Sequence, residues 1–475
     1  MALRRIGAAS LLRLLGRWHQ DAPRTPVYRQ LADGLRLLIL DGRLPLDSRL
    51  PGERELATTL GISRTTVATA LAQLRDEGYL VSRHGSGSIT MLPESASTAA
   101  LTIGAAPTLD LSTAALPAGP EIHRAYASAL IALPEYLGTT GYDPQGLPEL
   151  RRTIARRYTA RGLPTTAEQI MVVNGAVSGF SQILRLLTGP GDRVVIDHPT
   201  YPIALAAIKG ASCRPVPVSL PERGWDTDGL AATIAQTSPR LAYLIPDFHN
   251  PTGRCMDAAT RQAIADIAAR THTAIVVDET LVDLWFDAPP PPPLAAFNQA
   301  AQVITLGSAG KSFWGGLRLG WIRASARTIA ALIQIRDTLD LGSPVLEQLA
   351  AIALFNEADD ILPQKRAALR RQRDACGATI RALFPDWRAD TPEGGLSWWF
   401  ELPKPLATVF AAGAETIGIR VGAGPRFGAD GAFERFLRLP FTLDTTQMNA
   451  ALARLQPLWN HLAQNQSYGG RGRVV

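Results

Sequence analysis

Cysteine is scarce in this chain of 475 residues, which contains only three. Cys213, Cys255 and Cys376 are scattered, odd in number and not spaced as metal ligands usually are. The pattern therefore argues against a disulfide framework and against a zinc site. It favours a reducing compartment, and we predict a cytoplasmic protein with no bound metal.

Long apolar runs are also missing. No stretch of about 18 apolar residues without a charge occurs, so we expect no membrane span. The run at residues 11–15 is interrupted by Arg13 and lacks a cleavage-site pattern, which argues against a signal peptide. With 46% hydrophobic and 19% charged residues, the composition is typical of a soluble globular protein with a large core. The length predicts two or three domains.

Positive charge is concentrated at the N-terminal end. Residues 1–90 contain thirteen arginines and eight acidic residues, whereas the rest of the chain is nearly neutral. This asymmetry suggests a polyanionic partner for the N-terminal module. A solvated surface explains the same excess, so charge alone does not decide between them.

Residues 26–91 combine three helical patterns with a predicted hairpin. Apolar residues recur at helical spacing over 27–39, and a second short helix is predicted over 53–60. Gly61 makes a turn, and Ser63 is placed to cap a third helix. Strands flanking a glycine-rich tip then predict a two-stranded wing. The order predicts a winged helix-turn-helix, with a three-helix bundle carrying exposed arginines as the alternative.

The segments 26–45 and 50–88 closely resemble the DNA-binding domain of the GntR family of bacterial regulators. The third helix offers polar residues in its first turn, where a recognition helix meets base edges and phosphates. The resemblance implies that this turn, the start of the second helix and the wing tip contact double-stranded promoter DNA. The candidate DNA-binding residues are Arg54, Ser63, Arg64, Thr65, Thr66, Arg83, Gly85 and Gly87.

The composition changes after the predicted wing. Residues rich in Ala, Ser, Thr and Pro follow without periodicity, which predicts a flexible linker. The N-terminal residues are basic, and residues 11–18 are compatible with a short amphipathic helix whose role stays open. The predicted division is a basic extension at 1–23, a winged domain at 24–92, a linker at 93–109, an α/β domain at 110–464 and a disordered tail at 465–475.

In the α/β domain, apolar runs alternate with helical patterns, which predicts a largely parallel sheet with a ligand beyond the carboxyl ends of its strands. Lys311 follows the apolar run at 303–306, among glycines. A desolvated lysine has a lowered pKa and can form a Schiff base. Ser308 and Arg318 are residue types that hold phosphate. Pyridoxal 5'-phosphate (PLP) needs both functions, whereas a surface lysine in a glycine-rich loop is the alternative.

Other strand ends carry further candidates. A predicted helix start offers the backbone N–H groups of Ala176 and Val177 to a phosphate. Tyr201, between prolines, is able either to stack on an aromatic ring or to pack in the core. Asn250, before a Pro-Thr-Gly turn, can donate to a phenolate oxygen. Asp278 ends a buried strand and needs a cationic partner, such as a protonated pyridine nitrogen.

The order of these segments resembles the fold-type I, aspartate-aminotransferase-like PLP proteins, which have a large and a small subdomain. The resemblance implies that Lys311 forms the Schiff base with PLP and that Asp278 pairs with the pyridine nitrogen. It also implies that Asn250 bonds the 3'-oxygen and that Tyr201 stacks on the ring. The residues that would hold the phosphate are Gly175, Ala176, Val177, Ser308 and Arg318.

Two further residues carry implications from the same resemblance. Tyr142 matches a tyrosine that reaches the phosphate from the neighbouring subunit, which implies a homodimer. Arg438 matches the arginine that clamps an amino-acid carboxylate, a task that suits the bidentate guanidinium group. Trp398 and Trp399 belong to the expected small subdomain, where they line a ligand pocket or, alternatively, form the core.

Four positions depart from the family pattern. Thr280 stands where a tyrosine that touches the 3'-oxygen is frequent, and Val177 and His249 stand where glutamines are frequent. Gly310 replaces a serine before the lysine. The contacts of those family residues are therefore not carried over.

A GntR-like winged domain joined to an aminotransferase-like domain is the architecture of the MocR/GabR family of bacterial transcription regulators. The resemblance implies a PLP-dependent, DNA-binding regulator that senses PLP or a small amine or amino-acid effector. The alternative is a functional PLP-dependent aminotransferase that carries a DNA-binding module, and a residual transamination half-reaction is compatible with either.

Overall fold

The computed structural model describes residues 4–16, 18–19, 26–40, 42–83, 87–91, 109–429 and 431–465. Gly85 of the predicted wing tip and most of the predicted linker and tail lie outside these residues. The first part of the chain forms a winged helix-turn-helix, as predicted. Its elements are β1 (Arg4–Arg5), α1 (Ala8–Leu15), α2 (Val27–Leu40), β2 (Ser48–Arg49), α3 (Glu53–Leu60), α4 (Arg64–Asp76), β3 (Leu80–Arg83) and β4 (Gly87–Thr90).

The turn between α3 and α4 follows from two residues. Gly61 ends α3 in the left-handed region with a φ of 67°, a conformation that glycine adopts without strain. Ser63 then begins α4, because its hydroxyl accepts a hydrogen bond from the Thr66 backbone N–H at 3.0 Å. The inner face of α4 is buried at Val67, Ala70, Leu71 and Leu74.

Helix α1 belongs to the winged domain. Leu11 and Leu15 are buried in the same core as α2 and α4, together with Trp18. Strand β1 pairs in parallel with β2, so the wing sheet has the order β1-β2-β4-β3. The described part of the predicted N-terminal extension therefore packs against the winged domain.

The first described strand after the winged domain is β5 (Leu109–Leu111), which joins the small subdomain. A large α/β subdomain follows. Its elements are α5 (Pro120–Ala132), α6 (Pro148–Ala160), β6 (Ile170–Val173), α7 (Ala176–Leu187), β7 (Arg193–His198), α8 (Pro202–Gly210), β8 (Arg214–Ser219), α9 (Thr227–Thr237), β9 (Leu241–Leu244), α10 (Ala258–Thr271), β10 (Ala274–Asp278), β11 (Val303–Ser308), α11 (Ala309–Ser312), β12 (Gly320–Arg323), α12 (Ala326–Arg336) and α13 (Val345–Asn356). Helix α14 (Ala358–Leu383) begins in this subdomain and continues into the core of the small subdomain, where Leu369, Cys376 and Ile380 are buried.

The large sheet has the order β6-β12-β11-β10-β9-β7-β8. All of its strands are parallel except β12, which pairs antiparallel with β11 and β6. Its strands are apolar on both faces, since helices cover both. In β10, for example, Ile275 and Val277 pack in one hydrophobic cluster and Val276 packs in the other. This arrangement confirms the predicted α/β fold.

The small subdomain is a second sheet, with the order β13-β15-β14-β5, packed on long helices. Strand β5 pairs in parallel with β14, and its Leu109 lies opposite Ile419. The elements that follow the large subdomain are β13 (Ser397–Glu401), α15 (Ala407–Thr416), β14 (Ile419–Ala423), β15 (Phe436–Pro440) and α16 (Thr445–Asn465).

The winged domain contacts the small subdomain through α2 and α15. Leu37 of α2 is buried in the hydrophobic core of the small subdomain. At a second point, a Cβ built on Gly431 would lie 2.8 Å from the carbonyl oxygen of Arg13, so this backbone closely approaches α1. None of the helices that the structure describes has both the length and the apolar character needed to cross a bilayer.

Candidate cofactor and DNA-binding sites

A cavity of about 250 Å³ lies beyond the carboxyl ends of the central strands, where α/β sheets usually bind ligands. Residues that end or follow five of these strands line it. The structure brings most of the predicted cofactor residues together there, although Tyr142 and Arg438 are not part of the lining. The predicted residues that line the cavity are Gly175, Ala176, Val177, Tyr201, Asn250, Asp278, Ser308, Lys311 and Arg318.

Lys311 lies in the short helix α11, directly after β11. Burial, the nearby Arg438 guanidinium and, less strongly, Arg318 lower the pKa of Lys311 to about 8, against the opposing effect of Asp278. Its Nζ donates a hydrogen bond to the Ala114 carbonyl oxygen at 2.6 Å. Because an amine must be neutral to attack a carbonyl carbon, the lowered pKa makes this lysine reactive near neutral pH.

Asp278 ends β10 and is 7% exposed. The Tyr243 hydroxyl donates to its Oδ2 at 2.6 Å, and the Thr280 backbone N–H donates to its Oδ1 at 3.0 Å. Burial and the carboxylate raise the pKa of Tyr243 well above its ordinary value, so the phenol stays a neutral donor. The sequence analysis missed Tyr243, whose only signal was a polar atom within an otherwise apolar strand.

Arg438, on β15, lies next to Asn250, which does line the cavity. Its Nη1 donates to Asn250 Oδ1 at 3.0 Å, and its Nη2 donates to the Ser112 carbonyl oxygen. Its Nε is buried and has no acceptor among the described residues. Burial, together with the neighbouring Arg426, lowers the pKa of Arg438 to about 10. The guanidinium therefore has only neutral acceptors among its hydrogen-bond partners.

The N-terminus of α7 and Arg318 form a positive region at one end of the cavity. Gly175 precedes α7 with a φ of 92°, and a Cβ built on it would lie 3.0 Å from Arg318 Nη2. Arg318 makes no ion pair within the described chain. The Ser308 hydroxyl accepts from the Gly310 N–H at 3.0 Å. A helix N-terminus beside an unpaired arginine suits an anion.

The remaining predicted residues occupy different surroundings. Tyr201 lines the cavity, and burial, together with Asp278, raises its pKa to about 12. His249 also lines it, and burial lowers the pKa of this imidazole to about 3, so the ring is neutral. Trp398 packs in the small-subdomain core, in agreement with the alternative given for it, and Trp399 stacks on Phe436.

Most of the predicted DNA-binding residues that the structure describes are exposed to solvent. Arg64 at the start of α4 has a side chain 59% exposed and lies 3.5 Å from Glu53. Thr65 and Arg54 are exposed as well. Arg83 ends β3 and Gly87 begins β4 with a φ of 74°. The recognition turn and the described strands of the wing are therefore on one small domain.

The donor set of the cavity fits PLP. A buried amine with a lowered pKa is available for the aldehyde, and Asp278 offers a carboxylate to the ring nitrogen. Arg318 and the N-terminus of α7 suit a phosphate. Among the described lining residues, the basic Lys311 and Arg318 outnumber the one carboxylate, Asp278, and a dianionic ligand would offset this excess.

Comparisons with known proteins match both parts of the chain. The sequence profile of bacterial regulatory proteins of the gntR family matches residues 27–89, and that of aminotransferase class I and II matches residues 113–455. The uncharacterized HTH-type transcriptional regulator YisV of Bacillus subtilis is 26% identical over 459 residues, which cover 88% of this chain and 92% of YisV. The probable rhizopine catabolism regulatory protein MocR of Rhizobium meliloti is 31% identical over 392 residues, which cover 76% of this chain and 78% of MocR.

Among solved structures, the α-aminoadipate aminotransferase LysN from Thermus thermophilus superposes with a TM-score of 0.69. It is 26% identical and covers 75% of this chain and 93% of its own. That structure is a complex with N-(5'-phosphopyridoxyl)-L-leucine, so PLP chemistry accompanies this fold. The cofactor of the present chain is PLP, and the chain belongs to the aminotransferase class I and II family, joined to a GntR-type domain as in the MocR-type transcriptional regulators.

Proposed function

We propose that this protein regulates transcription by binding promoter DNA through its winged domain while its aminotransferase-like domain senses PLP or a small amine or amino acid. One observation carries the proposal: a single chain combines an exposed recognition turn at Arg64 with a buried cavity built around Lys311. A metabolic aminotransferase has no need of the former. The free cysteines fit a cytoplasmic location, where the chromosome is accessible.

Individual residues would hold the cofactor as follows. When bound, PLP supplies an aldehyde that reacts with amines and a ring that withdraws electrons. Lys311 would offer the neutral amine, and Asp278, whose carboxylate accepts from Tyr243, would pair with the ring nitrogen. Asn250 would donate to the 3'-oxygen, and Tyr201 would stack on the ring. The residues that would hold the phosphate are Gly175, Ala176, Val177, Ser308 and Arg318, all of which line the cavity.

Arg438 would receive the effector's carboxylate. The guanidinium is buried, has an unused Nε and has no charged acceptor within the described chain. A carboxylate forms shorter and stronger hydrogen bonds with guanidinium than a neutral carbonyl does. An amino acid would therefore meet two groups at once, because its amine approaches Lys311 while its carboxylate approaches Arg438.

On the DNA side, Arg64 and Thr65 would meet base edges and phosphates, as the first turn of a recognition helix does. Ser63 and Thr66 fix that turn by capping, since their hydroxyls are 2.8 Å apart. Further contacts to the DNA sugar-phosphate backbone would come from Arg54, Arg83 and the wing glycines Gly85 and Gly87.

A homodimer completes the proposal. Tyr142 is 68% exposed and does not line its own chain's cavity, and large apolar side chains close to it in sequence are exposed as well. A subunit contact would cover such side chains. We propose that Tyr142 extends the partner's phosphate site. The exposed apolar residues near it in sequence are Leu130, Ile131 and Leu137.

The test uses the full-length protein purified with PLP. Sheared genomic DNA is mixed with it, bound fragments are recovered and sequenced, and light scattering gives its mass. We expect enrichment of a few fragments carrying repeated half-sites, a visible absorbance from bound PLP and the mass of a dimer. Transamination without any enriched fragment would instead support the enzyme, and the absence of bound PLP would contradict the sensor.

A further inference from the structure

A short backbone segment lies between strand β5 and the cofactor cavity. We call residues 112–116 the strap. It directly follows β5, the first described strand after the winged domain. Ala114 and Ala115 of the strap line the cavity. The strap therefore contacts the cavity at one end. At its other end it continues from β5, the first described strand after the winged domain.

Two basic side chains contact the strap, and the contact of Arg438 is the one that persists when the Lys311 amine is linked to PLP. Ser112 supplies its carbonyl oxygen to Arg438 Nη2, and Ala114 supplies its carbonyl oxygen to Lys311 Nζ at 2.6 Å. Arg438 is 6% exposed, and its other described acceptor is the Asn250 side chain. A buried guanidinium satisfied only by neutral oxygens will exchange one of them readily for a carboxylate.

Asp110 of β5 shapes the strap. Its Oδ1 accepts hydrogen bonds from the Ser112 N–H at 2.7 Å and the Ser112 hydroxyl at 2.6 Å. Its Oδ2 accepts from the Thr113 hydroxyl at 2.7 Å. Burial opposes ionisation, but these bonds outweigh it and lower the pKa of Asp110. The ionised carboxylate thus fixes the turn that presents the Ser112 carbonyl to Arg438.

A continuous set of packed elements leads from β5 to the winged domain. Strand β5 pairs with β14, and α15 packs against both β14 and α2 of the winged domain. Leu37 of α2 is buried in the same core as Leu111 of β5. A displacement of β5 therefore disturbs a core that the winged domain shares.

We propose that the strap is the switch of the sensor: a ligand carboxylate displaces the Ser112 carbonyl from Arg438, and the released strap shifts β5 and with it the docking of the winged domain on α15. This inference rests on the proposed function and adds its regulation. Binding linkage is reciprocal, so DNA that prefers one docking also changes the affinity for the carboxylate.

The direct test follows amide hydrogen exchange in the full-length, PLP-loaded protein. The probe is propionate, which has the carboxylate but no amine, and the matched control is propionamide, which has the same shape without the charge. We expect propionate, and not propionamide, to accelerate exchange in peptides covering residues 109–116. Unchanged exchange in those peptides at saturating propionate would overturn the proposal, as would an equal response to propionamide.

A variant outside the cavity lining provides the second test. Asp110→Ala removes the carboxylate that shapes the strap, and Asp386→Ala removes an exposed carboxylate elsewhere as the control. In the control, propionate should change the affinity for a selected genomic fragment about fivefold or more, as allosteric couplings typically do. Asp110→Ala should lose this response while retaining the absorbance of bound PLP.

The failures are distinguishable. If Asp110→Ala responds to propionate as the control does, the strap is not the switch, although PLP and DNA binding still stand. If Asp110→Ala does not fold, the exchange measurement on the unaltered chain decides alone. If the unaltered chain selects no DNA or binds no PLP, the proposed function itself fails.

Discussion

The winged domain and the cofactor cavity both offer arginines to phosphate, but the surroundings of their other charged groups differ. Arg64, on the first turn of α4, has a side chain 59% exposed and lies 3.5 Å from Glu53. In the cavity, Arg318 is also exposed but lies beside the N-terminus of α7, whereas Asp278 is buried and Lys311 is partly buried. Exposed charges are screened by salt, whereas buried ones are screened much less.

The difference teaches what controls each site. A surface that binds DNA through phosphate contacts has an affinity that depends strongly on ionic strength. In the cavity, the reactivity of Lys311 depends on its protonation, because burial and nearby charges lower the pKa of this lysine to about 8. Salt should therefore act on one region and pH on the other, and the same chain provides both measurements.

The largest effect is expected from a substitution that removes the reactive amine of the cavity and leaves the winged domain unchanged. Lys311→Ala deletes the amine that we assign to PLP, so borohydride reduction should trap no cofactor adduct by mass spectrometry. Lys209→Ala is the matched control, because Lys209 is an exposed lysine on α8 that does not line the cavity. An adduct that survives in Lys311→Ala would assign the link to another amine.

Salt should separate the two regions most clearly. With about six phosphate contacts, DNA affinity should fall roughly a thousandfold between 50 and 200 mM salt. PLP should stay bound, because the proposed link to Lys311 is covalent and Asp278 is buried, where salt screens charge less. Fluorescence anisotropy of labelled DNA and the absorbance of PLP report both in one titration. A DNA affinity that is flat with salt would contradict a backbone-contacting module.

Much of each site follows from the sequence, since short segments carry its residues. The capping of α4 by Ser63 and the left-handed turn at Gly61 are local, and both were predictable from residue type. The cavity residues that follow β6, β7, β9, β10 and β11 were predictable as well, because parallel strands end at one edge of the sheet.

The rest depends on register and on distant packing. Tyr243 reaches Asp278 only because β9 and β10 pair with Tyr243 opposite Val276, two residues before the carboxylate. Arg438 meets Ser112 across 326 positions of the chain. Residues 11–18 have an amphipathic pattern, but this pattern does not indicate that α1 packs in the core of the winged domain. Pairing between side chains of different elements requires the tertiary fold.

A smaller effect tests the recognition turn. Arg64→Ala should weaken DNA binding by about 1–3 kcal/mol and leave PLP absorbance unchanged. Arg327→Ala, an exposed arginine of the large subdomain, removes the same charge and should change DNA affinity little. Gel-shift titrations on one selected fragment compare the three proteins. Equal losses in both variants would mean that overall charge, not the recognition turn, governs binding.

The smallest effect tests how burial lowers the pKa of Lys311 in the cavity. An ammonium cannot attack an aldehyde, so the rate at which cofactor-free protein captures PLP should rise with pH and reach half its maximum near pH 8, where Lys311 loses its proton. An exposed lysine would place that midpoint near 10.5.

Arg438→Gln refines this last measurement. Burial is the main cause of the lowered pKa of Lys311, and the positive charge of Arg438 is the next. Removing that charge makes the ammonium form of Lys311 less unfavourable, so the pKa of Lys311 should rise. The midpoint should therefore move to higher pH by less than about one unit, which at a fixed pH below the midpoint slows PLP capture by less than about tenfold. Stopped-flow absorbance measures the shift. A midpoint that stays in place would mean that Arg438 does not act electrostatically on Lys311, and a shift to lower pH would contradict the sign of the interaction.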